Sequence, residues 1–183
     1  MEQTAIPALR LESLADGIPV IFGGGHHWLI QKCVFSLDRQ GHASGVLLHV
    51  VQESDTDCDF SIVWELEADE QLRRAHADSV ESVEDSAKVL SFLLVRELTP
   101  YTAVEQAQRG TTVDYFLSEK DRDDDLIFNN TARLEVSGIN AGDMQQIDAR
   151  IKDKLDRLKD DVLPAYIVVI EHKTPLAKMV VKS

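Results

Sequence analysis

SVESVEDSAKVLSFLLVREL, residues 79–98, is the stretch on which the architecture turns. Val80, Val83, Ala87, Leu90, Leu94 and Leu98 recur every three or four residues, which predicts one amphipathic helix. Thr99-Pro100 closes it, because the residue before a proline avoids the helical region. Outward toward the C-terminus, three strands are expected at 101–107, 112–117 and 131–137, divided by Gly110 and by the acidic loop 118–125. Residues 143–161 carry Met144, Ile147, Ile151, Leu155, Leu158 and Val162 just beyond as one apolar stripe, so a second helix follows. The pairs Asp148/Lys152 and Asp153/Arg157, four apart, suit an exposed helical face. AYIVVIE, residues 165–171, is almost continuously apolar, the pattern of a strand covered on both faces. Residues 178–182 suggest a short last strand.

Toward the N-terminus, residues 1–25 read as irregular, punctuated by Pro7, Pro19 and Gly23-Gly24-Gly25. Three strands are expected at 28–37, 44–52 and 58–66, joined by short turns into an antiparallel meander. Residues 67–77 begin a helical stretch. The expectation is therefore α/β with a mixed sheet, one domain over 1–183. An N-terminal β-rich part spans 1–70, and an α-β-β-β-α-β core starts at 79.

With 183 residues and 44% apolar content the chain can bury a core without staples. Nineteen basic against 32 acidic residues give a net charge of −13, which disfavours nucleic acid as a general partner. The start of the sequence has no charged-then-apolar signal pattern and no window is apolar enough for a membrane span, so a cytoplasmic chain is expected. Cys33 and Cys58 lack metal or redox spacing and read as reduced, part-buried thiols in strand-like runs.

The order α-β-β-β-α-β over about 80–173, with Glu84 on the helix, Asp114 in TTVDYFL and Glu135 in ARLEVSG, resembles the core of the PD-(D/E)XK, restriction-endonuclease-like superfamily. GTTVDYFLSEK and ARLEVSGI are also similar to segments of bacterial proteins of unassigned function. The superfamily resemblance implies a phosphodiester-cleaving site in which Glu84, Asp114 and Glu135 hold Mg²⁺. Alternation supports a meeting of the acids. Val113, Tyr115 and Leu117 would share one face, leaving Asp114 opposite; Leu134 and Val136 would share one face, leaving Arg133, Glu135 and Ser137 opposite. Carboxylates in apolar runs need a partner or a metal, and Mg²⁺ is a hard cation suited to their oxygens. The sequence departs from the motif at its lysine, where Ser137 stands. Lys88, one turn after Glu84, is the best substitute, and Lys120 a weaker one. The literal Glu171-His172-Lys173 is rejected, because too little chain follows it to complete the core.

Each of these residues has a plainer reading. Glu84 pairs with Lys88 on a solvated face; Asp114 sits on an exposed sheet face or caps a neighbouring turn; Glu135 meets Arg133 or Arg109 across strands. On that reading the chain is a non-catalytic acidic interaction module, of immunity or antitoxin type or an assembly subunit, meeting a basic protein partner. Val20-Ile21-Phe22 and Met179-Val180-Val181 would then be oligomer contacts or core. His26-His27 after the three glycines lack the P-loop continuation, and residues 118–125 lack EF-hand spacing, so neither is read as a ligand site.

Overall fold

The structure, a computed structural model, describes residues 5–21, 23–53, 56–121, 129–158 and 162–183. Its strands are β1 (Ala8–Arg10), β2 (Val46–Gln52), β3 (Cys58–Val63), β4 (Tyr101–Gln106), β5 (Tyr115–Glu119), β6 (Ala132–Ile139), β7 (Ala165–Glu171) and β8 (Leu176–Lys182). Its helices are α1 (Gly25–Arg39), α2 (Glu70–Ala75), α3 (Ser79–Leu98) and α4 (Met144–Arg157). All eight strands form one mixed sheet in the order β1-β3-β2-β8-β7-β6-β5-β4. β4, β5 and β6 run as an antiparallel meander; β6 and β7 are parallel, and β7 and β8 antiparallel.

The expected α/β architecture with a mixed sheet is present, and α3 occupies the residues its periodicity predicted. Asp78 caps it, accepting from the Val80 and Glu81 amides. Asp143 and Gln146 close a capping box on α4. β7 is buried on both faces, as its apolar run required: Val168 and Ile170 join the core beneath α1 and α3, and Ile167 and Val169 pack with Ile147 and Ile151 of α4. Alternation along β7 therefore puts α3 and α4 on opposite faces of the sheet.

The N-terminal meander is corrected. The expected strand at 28–37 is helix α1, so only β2 and β3 form a hairpin there, and β3 takes β1 as a parallel neighbour on its other side. Ile30, Cys33, Val34 and Leu37 are buried at helical spacing. Trp28, Val34 and Phe35 gave the run a strand-like composition, but burial against α3 overrides such a local preference. β2 also pairs in parallel with β8, which joins the N-terminal hairpin to the remaining strands in one sheet. Met179 and Val180 are buried and Val20 and Ile21 pack on the core, whereas Phe22 lies outside the described residues.

Cys33 is a wholly buried thiol, pushed up to about 12 by that burial. Ser86 Oγ donates to its sulfur at 3.3 Å and lies 2.8 Å from His172 Nε2, while His172 Nδ1 lies 3.0 Å from the Ile139 carbonyl. Burial holds the His172 imidazole below its ordinary pKa, with the His42 ring adding to the effect and the Ile139 bond and Glu171 opposing it. The native imidazole therefore stays neutral where the unfolded one takes a proton. That stability is present above about pH 6.5 and is lost as the pH falls below it. His172→Asn should flatten the decline in urea midpoint between pH 7 and pH 5. An unchanged slope would show that His172 does not contribute to it.

Candidate functional site

The pairing of β5 with β6 runs from Leu117↔Ala132 to Tyr115↔Leu134 and then stops. At this point the Asp114 amide donates to the Leu134 carbonyl, 3.1 Å, and Asp114 Oδ2 accepts from the Val136 amide, 2.8 Å. A side chain thus takes the place of the next backbone rung, and the two strands part. Preceding residues turn away through Gly110, whose φ of +98° suits glycine. Val113 packs on the α4 side, whereas Tyr115 and Leu117 lie on the α3 side, so the expected alternation breaks at Asp114.

A cleft of about 620 Å³ opens at this divergence. Glu84 and Lys88 reach it from α3, Asp114 from the head of β5, Ser137 and Gly138 from β6, and Arg150, Lys154 and Arg157 from α4. Arg109 completes its basic lining. Glu135 lies in an adjoining recess that shares Asp114, Lys154 and Arg157 with it. Five basic side chains thus face two carboxylates in the main cleft of a protein with net charge −13. Local charge and total charge have opposite signs, and it is the local field that meets a ligand.

All four candidates, Glu84, Lys88, Asp114 and Glu135, are placed around this concavity, but they do not act as one cluster. Asp114 and Glu135 converge on the Lys154 ammonium: Nζ is hydrogen-bonded to Glu135 Oε2 and lies 3.5 Å from Asp114 Oδ2. Glu135 is 8% exposed. Burial raises its carboxyl above the usual range, the bond from Lys154 opposes this, and the Asp114 charge adds to it. Lys88 turns to Asp85 Oδ1 at 2.6 Å rather than to Glu84. Among the described residues no three His, Cys, Asp or Glu side chains are grouped to hold an ion. Two carboxylates gathered on one cationic point nevertheless match how Mg²⁺ is held, by one or two protein carboxylates with substrate phosphates and water completing the shell. Asp114 and Glu135 thus offer oxygen ligands of the type the resemblance called for.

Lys154, Arg150 and Arg157 were missed in the sequence. Their spacing of four and three puts them on one flank of the α4 stripe, a signal hidden by treating its charges as a solvated face. Asp148 bonds Lys178 of β8 at 2.6 Å instead of pairing with Lys152, and Arg157 donates to the Asp153 carbonyl. Arg150 reaches Ser137 Oγ at 3.2 Å, so a base from α4 stands beside the end of Glu135-Val136-Ser137.

The remaining candidates lie elsewhere. Lys120 anchors to the Arg96 and Thr99 carbonyls. Glu171 accepts from the amides of Gly142, Lys173 and Thr174 and so stabilises a turn. His49 bonds Asp59 on an exposed surface, and His26 bonds the Gly23 carbonyl at the start of α1. Part of the acidic loop, 122–125, falls outside the described residues. No helix among the described residues is long and apolar enough to cross a membrane. The chain matches no protein-family model, and no curated protein or solved structure is significantly similar to it.

Proposed function

We propose that the cleft is a divalent-metal-dependent phosphodiester-hydrolysing site of the PD-(D/E)XK kind, with Asp114 and Glu135 as the metal carboxylates. The observation that carries this reading is their convergence on Lys154 where β5 parts from β6. The run β4-β5-β6-β7-β8, in which β5 and β8 oppose the other three, supports it, as do α3 and α4 on opposite faces. A bound Mg²⁺ would polarise the phosphodiester and lower the pKa of its water. Lys154 supplies, from α4, the ammonium that the Glu135-Val136-Ser137 sequence lacks. Lys88, Arg109 and Arg150 hold phosphate oxygens across the cleft, and Glu84 orients solvent from the α3 side. A second reading, a non-catalytic acidic module for a basic partner, is favoured by the same ion pairing, in which Lys154 already engages Glu135.

Thermal unfolding with Mg²⁺ or Mn²⁺ separates the two. At metal concentrations a hundredfold above Kd, wild type should gain about 5–10 °C in Tm. Asp114→Ala should gain none, and should lose Mn²⁺-dependent nicking of plasmid DNA. Equal shifts in both proteins would remove the metal site and leave the interaction module.

A further inference from the structure

We propose that Lys154 is a built-in cation that occupies the metal position of the resting site, so that a divalent ion binds only by displacing it. This rests on the reading of Asp114 and Glu135 as metal carboxylates. The ammonium bonds Glu135 Oε2 and lies 3.5 Å from Asp114 Oδ2, so a single positive centre lies between the two oxygens an ion would need. Its side chain is 14% exposed, and that of Glu135 11%, so solvent screens the contact only in part. Two cations cannot share that space, because like charges a few ångströms apart repel strongly in such surroundings. The bond from Lys154 also spares Glu135 the cost of lying buried and unpaired.

Displacement has a direction. Arg157 and Arg150 stand one turn to either side of Lys154 on the same flank of α4, and the open cleft is lined by Asp114 and Glu84. The released ammonium therefore swings into the cleft, toward the place of a phosphate. Loading the metal and arming the lysine become one event: the site gains its catalytic cation only when the ion is present. Bare phosphate or nucleic acid, lacking the ion, meets a lysine already engaged.

Isothermal titration with Mn²⁺ tests this without reference to turnover. Lys154→Met should bind Mn²⁺ at least about tenfold more tightly than wild type, since the competing charge is gone. Lys154→Arg, which keeps the charge, should bind no more tightly than wild type. Equal or weaker binding by Lys154→Met would overturn the displacement while leaving the metal site intact. Absence of binding in wild type and in Lys154→Met, as in Asp114→Ala, would overturn the metal site as well. Should Lys154→Met fail to fold, the wild-type chain answers. Mg²⁺ should raise acetylation of Lys154 by an amine-reactive reagent several-fold, read by peptide mass spectrometry, and should not do so in Asp114→Ala. Unchanged labelling under saturating Mg²⁺ would overturn the proposal.

Discussion

Asp85→Ala is expected to destabilise the fold by about 3–5 kcal/mol, the cost of stranding a buried charge. Lys32 of α1 is 2% exposed, and its ammonium lies 2.6 Å from Asp85 Oδ2 and 2.7 Å from Glu81 Oε1, with the Trp28 ring 5.4 Å away. Burial alone would lower the Lys32 pKa, but its bonds to Asp85 and Glu81 outweigh this and leave it raised. Without Asp85 the remaining partner is Glu81, whose side chain is 64% exposed and whose attraction is weakened by water. Urea unfolding should show a lower midpoint at unchanged slope. Lys32→Met in the Asp85→Ala background should restore much of the loss, because the unpaired charge is then gone. A cost below about 1 kcal/mol for Asp85→Ala would mean that the pair is not holding α1 against α3.

The second large effect is expected at Gly138, where α3 lies directly on β6. A Cβ there would stand 2.6 Å from the Val83 carbonyl oxygen and 2.8 Å from Val83 Cγ1. Gly138→Ala should therefore cost about 2–3 kcal/mol, toward the upper end for overpacking, because the nearer obstacle is backbone. Val83→Ala in the same chain removes the Cγ1 contact but not the carbonyl, so it should not rescue stability. Recovery in that double variant would place the conflict in the side chain. Glu84, next to Val83, would move with the displaced turn, so Gly138→Ala should also weaken whatever the cleft binds.

These two sites show where sequence reading succeeds and where it stops. The period of α3 and the double-sided apolar run of β7 are local patterns, and each was readable from spacing alone. Helix α1 was misread because GHHWLIQKCVFSLDR mixes aromatic and β-branched residues with an apolar spacing that fits a helix. Its character is decided by burial against α3, where Asp85 and Ser86 meet Lys32 and Cys33, and no local window contains that contact. At the cleft, Asp114 and Glu135 were visible as carboxylates in apolar runs. Lys154 was not, since an ammonium on an amphipathic helix resembles many solvated ones until the strand opposite is known. Lys88 was the natural substitute by spacing, yet Asp85, three residues away on the same helix, engages it.

The position of β8 has a consequence for how the chain is made. Leu176–Lys182 form an interior strand of the sheet, with β2 on one flank and β7 on the other. During synthesis β1, β2, β3 and α1 emerge first, and the inner edge of β2 stays bare until residues 176–182 leave the ribosome. Its pairing with β8 joins residues more than a hundred positions apart, the kind of long-range closure that slows folding. A nascent chain therefore carries an open strand edge from the emergence of β2 until that of β8, and that edge, rather than the finished surface, is where aggregation or chaperone capture would begin.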